Sequence, residues 1–128
     1  MSVRDQKGRE NRGGRSYALG LDAEQAASRA LTADGWCVLG RRLRTEAGEV
    51  DMVAEREGVL AIIEVKARPT LAVAAAALTS RQQARLVAAA EILIGQNPTW
   101  GAAGVRFDVL LVDAAGAVRR ITDAFRVE

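Results

Sequence analysis

The stretch GEVDMVAEREGVLAIIEVKAR, Gly48 to Arg68, sets two apolar runs on either side of Glu57-Gly58. Two alternating runs around a short turn that ends in glycine read as a β-hairpin. Taking Glu57-Gly58 as a two-residue turn opposes Arg56 to Val59. The same register then opposes Ala54 to Ala61, Met52 to Ile63 and Val50 to Val65, three wholly apolar pairs. The other face pairs Glu55 with Leu60, Val53 with Ile62, Asp51 with Glu64, and Glu49 with Lys66. A hairpin that feeds a core therefore carries an acidic pair and a lysine at one end.

Like charges directly opposed on a sheet are destabilising. Two remedies stand open. One carboxyl stays protonated, or a divalent cation, Mg²⁺ or Mn²⁺, sits between the two and completes its shell with water. Lys66 lies two residues beyond Glu64 and projects from the same face. An ammonium beside a bound metal orients or deprotonates water, or holds a phosphate oxygen. The charged end thus has the residue types of a metal-dependent phosphodiester site. The competing reading is a plain Glu49–Lys66 cross-strand ion pair.

Outward from the hairpin, the chain of 128 residues suits one domain, read as a basic arm at 1–16 and an α/β unit at 17–128. Tyr17 to Asp34 has a helical stripe of Ala23, Ala26, Ala27, Ala30 and Leu31, with Ser16 as N-cap and Gly35 as stop. Glu24 borders that stripe. Trp36 to Arg44 reads as a strand, and Pro69 ends the third strand. Leu71 to Leu78 is either helix or loop. Thr79 caps a helix over Ser80 to about Gln96, and two strands follow, Val105 to Val112 and Val118 to Thr122. The order predicts a mixed sheet of about five strands flanked by helices.

Composition narrows the chemistry. Histidine is absent, which excludes His-dependent triads and His-ligated metals. No phosphate-binding glycine loop occurs. One cysteine, Cys37, forms no internal disulfide and fits a reducing compartment. It is expected buried or half-buried in its strand. Trp36 and Trp100 are expected as packing residues. No apolar run approaches the roughly 20 residues of a membrane span, and the polar, Arg-rich start predicts no secretory signal. The expectation is a cytoplasmic protein. Residues 1–16 hold five cations against two anions, while the remainder holds thirteen against fourteen, so the positive charge is concentrated in the arm. Such an arm tracks a phosphate backbone or is simply solvated.

The residues Gly48-Glu49-Val50-Asp51 and Glu64-Val65-Lys66-Ala67-Arg68, with Gly20, Glu24, Arg44, Arg106-Phe107-Asp108 and Ala124-Phe125, resemble the YraN-like family of small bacterial proteins. The resemblance covers about Gly20 to Phe125. It implies a restriction-endonuclease-like fold of the PD-(D/E)xK superfamily, similar in layout to archaeal Holliday-junction resolvases. Carried over, Asp51, Glu64 and Glu24 are metal ligands and Lys66 is the catalytic lysine, with Mg²⁺ or Mn²⁺ as cofactor. Glu49 is a supporting position expected to orient Lys66. The chain departs from many relatives at Gln82, where they have lysine, and at Arg42, where they have asparagine; Arg81 or Arg85 replaces the helix charge. Arg44, Arg68, Arg81 and Arg85 are the expected nucleic-acid contacts, while Arg41, Arg42 and Arg44 together fit a backbone groove or a solvated strand face equally.

The function expected is a metal-dependent endonuclease-like protein that binds and cleaves DNA, branched DNA included, with DNA favoured over RNA. The alternatives are a non-catalytic nucleic-acid-binding module on the same fold, or a protein-interaction subunit. A homodimer is kept open, and no membrane partner is expected.

Overall fold

A computed structural model describes residues 23–69 and 78–125. The basic arm at 1–16, the start of the first helix with Ser16 and Gly20, and most of the stretch from Leu71 lie outside the described residues. Helix α1 covers 23–33, followed by β1 (Cys37–Thr45), β2 (Gly48–Arg56), β3 (Val59–Ala67), α2 (Ser80–Gln96), β4 (Gly104–Val112) and β5 (Val118–Phe125). The strands form one sheet in chain order. Strand β3 pairs with β4 in parallel and every other pair is antiparallel, so the sheet is mixed. This is a restriction-endonuclease-like α/β layout, with α2 as the crossover between the two parallel strands. No helix among the described residues is long and apolar enough to cross a membrane.

Local signals account for the elements. Gly35 takes φ +85° after α1. The amide of Trp36 donates to the Leu31 carbonyl at 2.9 Å and that of Gly35 to Thr32 at 3.1 Å. These two bonds are the Schellman stop that glycine permits. Helix α2 opens with a capping box: the Thr79 hydroxyl accepts from the Gln82 amide at 3.1 Å, and Gln82 Oε1 accepts from the Thr79 amide at 2.8 Å. A lysine at 82 has no acceptor to complete this box, so Gln82 has a structural reason of its own. Glu57 and Gly58 both take positive φ, +52° and +81°, the signature of a type I′ hairpin turn.

Both faces of the sheet are covered, and the two-residue period sorts side chains between them. On one face α2 packs Leu86, Ala89, Ala90 and Leu93 over Val53, Leu60, Ile62, Val109 and Leu111. On the other, α1 packs Ala23, Ala27 and Leu31 over Met52, Ala54, Ala61, Ile63, Leu110 and Val112. The doubly covered strands β3 and β4 therefore read as continuous apolar runs, from Leu60 to Ile63 and from Val109 to Val112. Trp36 is buried in the α1-side core and Trp100 packs against the α2-side core, as expected.

Three expectations fail. Cys37 is exposed, because it opens the edge strand beyond the cover of α1. Val50 lies in the α2-side core with Val53, not on the face of Met52 and Ala54, so the alternation of β2 breaks at Asp51. The hairpin ladder matches the expected register from Arg56–Val59 to Met52–Ile63 and then stops. The Asp51–Glu64, Val50–Val65 and Glu49–Lys66 pairs are not formed.

Candidate functional site

The end of that ladder creates the site. Beyond Met52, β2 stays paired with β1 as far as Thr45–Gly48, while β3 stays paired with β4 as far as Ala67–Val112. The sheet forks between them. Bonded and non-bonded pairs alternate along an antiparallel ladder, so Val65 would next bond to Val50. Instead its amide donates to Asp51 Oδ2 at 2.8 Å. The aspartate carboxylate replaces a main-chain acceptor and lies in the fork, which is why the alternation fails at this residue. Opposite it on β1, between the Arg41–Met52 and Leu43–Val50 pairs, Arg42 takes φ +51°.

The electrostatics of the fork are unbalanced. Burial, then the charge of Glu64, then Glu24 and Glu49 push Asp51 up to about 7, against the downward pull of the Val65 amide. Burial also raises Glu64, although Arg85 and Lys66 pull the other way. Of the three acids predicted to work together, Asp51 thus feels both Glu64 and Glu24, and Lys66 acts on Glu64. Arg85 Nη2 stands 3.5 Å from Glu64 Oε1. That contact needs Gly48: a Cβ there would lie 2.9 Å from Arg85 Cδ, and Gly48 holds φ +130°. The aliphatic stem of Arg85 crosses the fork's rim over a bare backbone. Arg85, expected as a nucleic-acid contact, is first of all the counter-ion of Glu64.

Glu24 reaches the site from α1 with its side chain 12% exposed, and accepts from Arg42 Nε at 2.9 Å. Local pattern shows Arg42 only as a groove or surface residue, because its acidic partner lies eighteen residues away. Glu49 does not pair with Lys66. It opposes Arg44 across β1–β2, with Nε 3.9 Å from Oε2. The correction follows from the fork, which carries Glu49 away from β3. Arg44 is exposed beside it. Arg68 leaves β3 with Nη1 on the Ala67 carbonyl at 2.8 Å, and Arg81 is exposed on the first turn of α2, four residues before Arg85.

Among the described residues no three acidic side chains are arranged to hold a metal ion. The donor set that remains, Asp51 and Glu64, is nevertheless the kind that Mg²⁺ accepts: one or two carboxylate oxygens and several waters. Chemically, the fork offers a carboxylate short of counter-charge, a second carboxylate shared with an arginine, and a lysine beside them.

A model of the family described as "Uncharacterised protein family UPF0102" matches residues 23–112. A UPF0102 protein of Granulibacter bethesdensis is 61% identical over 117 residues, covering 91% of this chain and 74% of that protein. One from Acidiphilium cryptum is 45% identical over 114 residues, covering 89% and 88%. One from Azorhizobium caulinodans is 42% identical over 113 residues, covering 88% and 86%.

Proposed function

The chain belongs to the UPF0102 family, and on that premise we propose that it is a metal-dependent, endonuclease-like protein acting on DNA phosphodiesters, branched DNA among them. The observation that carries this reading is Asp51. It is wedged into a fork of the sheet, held by one main-chain amide, and crowded by Glu64 and Glu24 instead of by cations. A stabilised fold has no use for that crowding, whereas a cation site does.

Asp51 and Glu64 would hold Mg²⁺ or Mn²⁺, and the metal would supply Lewis-acid polarisation of the phosphate and charge neutralisation in the transition state. Lys66 holds the attacking water or a phosphate oxygen. Water adds to phosphorus, the bond to the leaving ester oxygen breaks, and that oxygen takes up a proton. Glu24 acts through Arg42 on the charge balance of the fork, and Glu49 with Arg44 shapes its outer rim. Arg44, Arg68 and Arg81 are available to the phosphates that flank the reacting one.

A second reading has its own support. Glu24 and Glu64 already carry arginine partners, so the fork also suits a module that binds DNA and does little hydrolysis. One experiment separates the two. Labelled linear, flapped and four-way DNA are incubated with Mg²⁺ or Mn²⁺, beside Lys66→Ala. Cleavage by the wild type, reduced at least a hundredfold in Lys66→Ala, supports the nuclease. Salt-dependent binding with no cleavage on any substrate leaves the binding module.

A further inference from the structure

Away from the fork, one concave surface combines cations with hydroxyls, and no acid lines it among the described residues. It lies along the outer side of α1 against the edge strand β1, encloses about 540 Å³, and is lined by Gln25, Ser28, Arg29, Thr32, Ala33 and Arg41. The four polar helix residues sit at i, i+3, i+4 and i+7, one face of a helix. At 1.5 Å per residue they span roughly 10 Å. Arg41 forms the facing wall. Both arginines are exposed and neither has an ion pair among the described residues, unlike Arg42, Arg56, Arg85, Arg106 and Arg120. Arginine, serine, threonine and glutamine are the side chains that grip nucleic-acid phosphates.

The position is as informative as the composition. Gln25 follows Glu24 and Arg41 precedes Arg42, so the groove starts one residue along each element from the bonded Glu24–Arg42 pair. A strand leaving the fork past that pair enters the groove. Its length takes about three nucleotide steps at 3.4 Å of helix rise each. A solvated helix face alone would not require a second arginine across a cleft, nor the exclusion of carboxylates from its wall.

We propose that the α1–β1 groove is a second nucleic-acid backbone site, in which Arg29 and Arg41 clamp consecutive phosphates and Ser28, Thr32 and Gln25 donate to their oxygens. This goes beyond the phosphodiester reading and stands whether or not the fork cleaves. An acidic protein segment is the competing occupant. It is disfavoured because the groove lies beside the Glu24–Arg42 pair that borders the fork, and apart from Ala33 its lining side chains end in guanidinium, hydroxyl or amide groups.

The test is read in EDTA, where cleavage does not contribute. Fluorescence anisotropy of a labelled duplex and a single strand is followed against salt for wild type, for Arg29→Gln with Arg41→Gln, and for Arg29→Lys with Arg41→Lys. The glutamine pair should make the log–log salt slope shallower by about 1.5–2, as two lost phosphate contacts require. Weakening should be equal across sequences, and the lysine pair should restore the slope. Melting temperatures should be unchanged, because neither arginine holds the fold. An unchanged slope in the glutamine pair, or no DNA binding by the wild type, overturns the proposal. Competition by poly-glutamate equal to that by DNA at matched charge assigns the groove to an acidic protein partner and overturns it as well. Absence of cleavage by the wild type in the Mg²⁺ assay, with the slope effect intact, would refute the nuclease and leave the groove.

Discussion

Two aspartates of the sheet, Asp51 on β2 and Asp108 on β4, sit in opposite circumstances. Asp108 on β4 is 1% exposed and accepts four bonds: Nε and Nη2 of Arg106 at 3.0 Å each, Nη2 of Arg120 at 3.1 Å, and the Asp123 amide at 2.8 Å. The same arginines, with Arg56, stand over the ring of Trp36 at 4.6–5.1 Å. Arg120 Nη1 and Arg56 Nη1 also tie down Asp34 at the end of α1, at 3.1 and 3.5 Å. Asp51 has one amide donor, and its charged neighbours include three glutamates. A carboxylate saturated with donors is closed to new partners and serves the fold; it locks α1 onto the sheet. A carboxylate with open oxygens and like-charged neighbours costs the fold stability and is left available to a ligand.

The comparison breaks most visibly at Asp108. Asp108→Ala should destabilise the protein by about 2–4 kcal/mol, because it takes the carboxylate from two half-buried guanidinium groups, of which, among the described residues, only Arg120 keeps another acid, Asp34. Asp108→Asn keeps the shape and one acceptor oxygen and should lose less. Chemical denaturation of both variants checks this. A loss below about 1 kcal/mol for the alanine variant would show that the clasp is not structural.

At the fork the sign reverses. The native pKa of Asp51, about 7, lies above its ordinary value of 3.8. The folded form therefore holds a proton that the unfolded form has released between those limits. The associated stability is complete below pH ~4 and is lost as pH rises through ~7. Asp51→Asn keeps an oxygen for the Val65 amide and removes the charge. At neutral pH, without metal, it should be more stable than wild type by about 2 kcal/mol, discounted for partial solvent access. The gap should close near pH 4. Mg²⁺ should raise the melting temperature of the wild type and leave that of Asp51→Asn almost unmoved. Melting curves over pH 4–8, with and without Mg²⁺, read all three. A variant less stable than wild type at neutral pH would remove the picture of a crowded acid.

The contrast between the two aspartates also explains what the sequence made legible. Periodicity and caps located α2 from Thr79 to Gln96, the five strands, and the hairpin register through Met52–Ile63, because those follow from local spacing and from two covered faces. The acids at the fork were found because opposed like charges are conspicuous in a strand pattern. What escaped was the direction of Asp51. A side chain that takes the place of a backbone acceptor leaves no mark on a two-residue period, so Val50 and Glu49 were assigned to the wrong neighbours. Arg42–Glu24 and Arg85–Glu64 escaped because each joins residues far apart in the chain. The Asp108 clasp escaped for the same reason: Arg106, Arg120, Arg56 and Trp36 come from four separate segments.

The smallest expected effect tests whether the fork and the hairpin turn are mechanically separate. Glu57, at the hairpin turn, holds φ +52°, a region that costs a glutamate about 1 kcal/mol and that asparagine tolerates. Glu57→Asn creates the Asn-Gly pair that type I′ turns prefer. It should stabilise the chain by about 0.5–1 kcal/mol, a rise in melting temperature of roughly 2–4 °C. Six strand positions separate it from Asp51, about 20 Å of ladder. Distant sites with no shared partner add, so the gain should be the same in the wild type and in Asp51→Asn. A gain that shrinks by more than about half in the Asp51→Asn background would show that crowding at the fork is transmitted along β2 to the turn. The hairpin would then be a single strained unit, and the contrast between a closed aspartate and an open one would not be local to the fork.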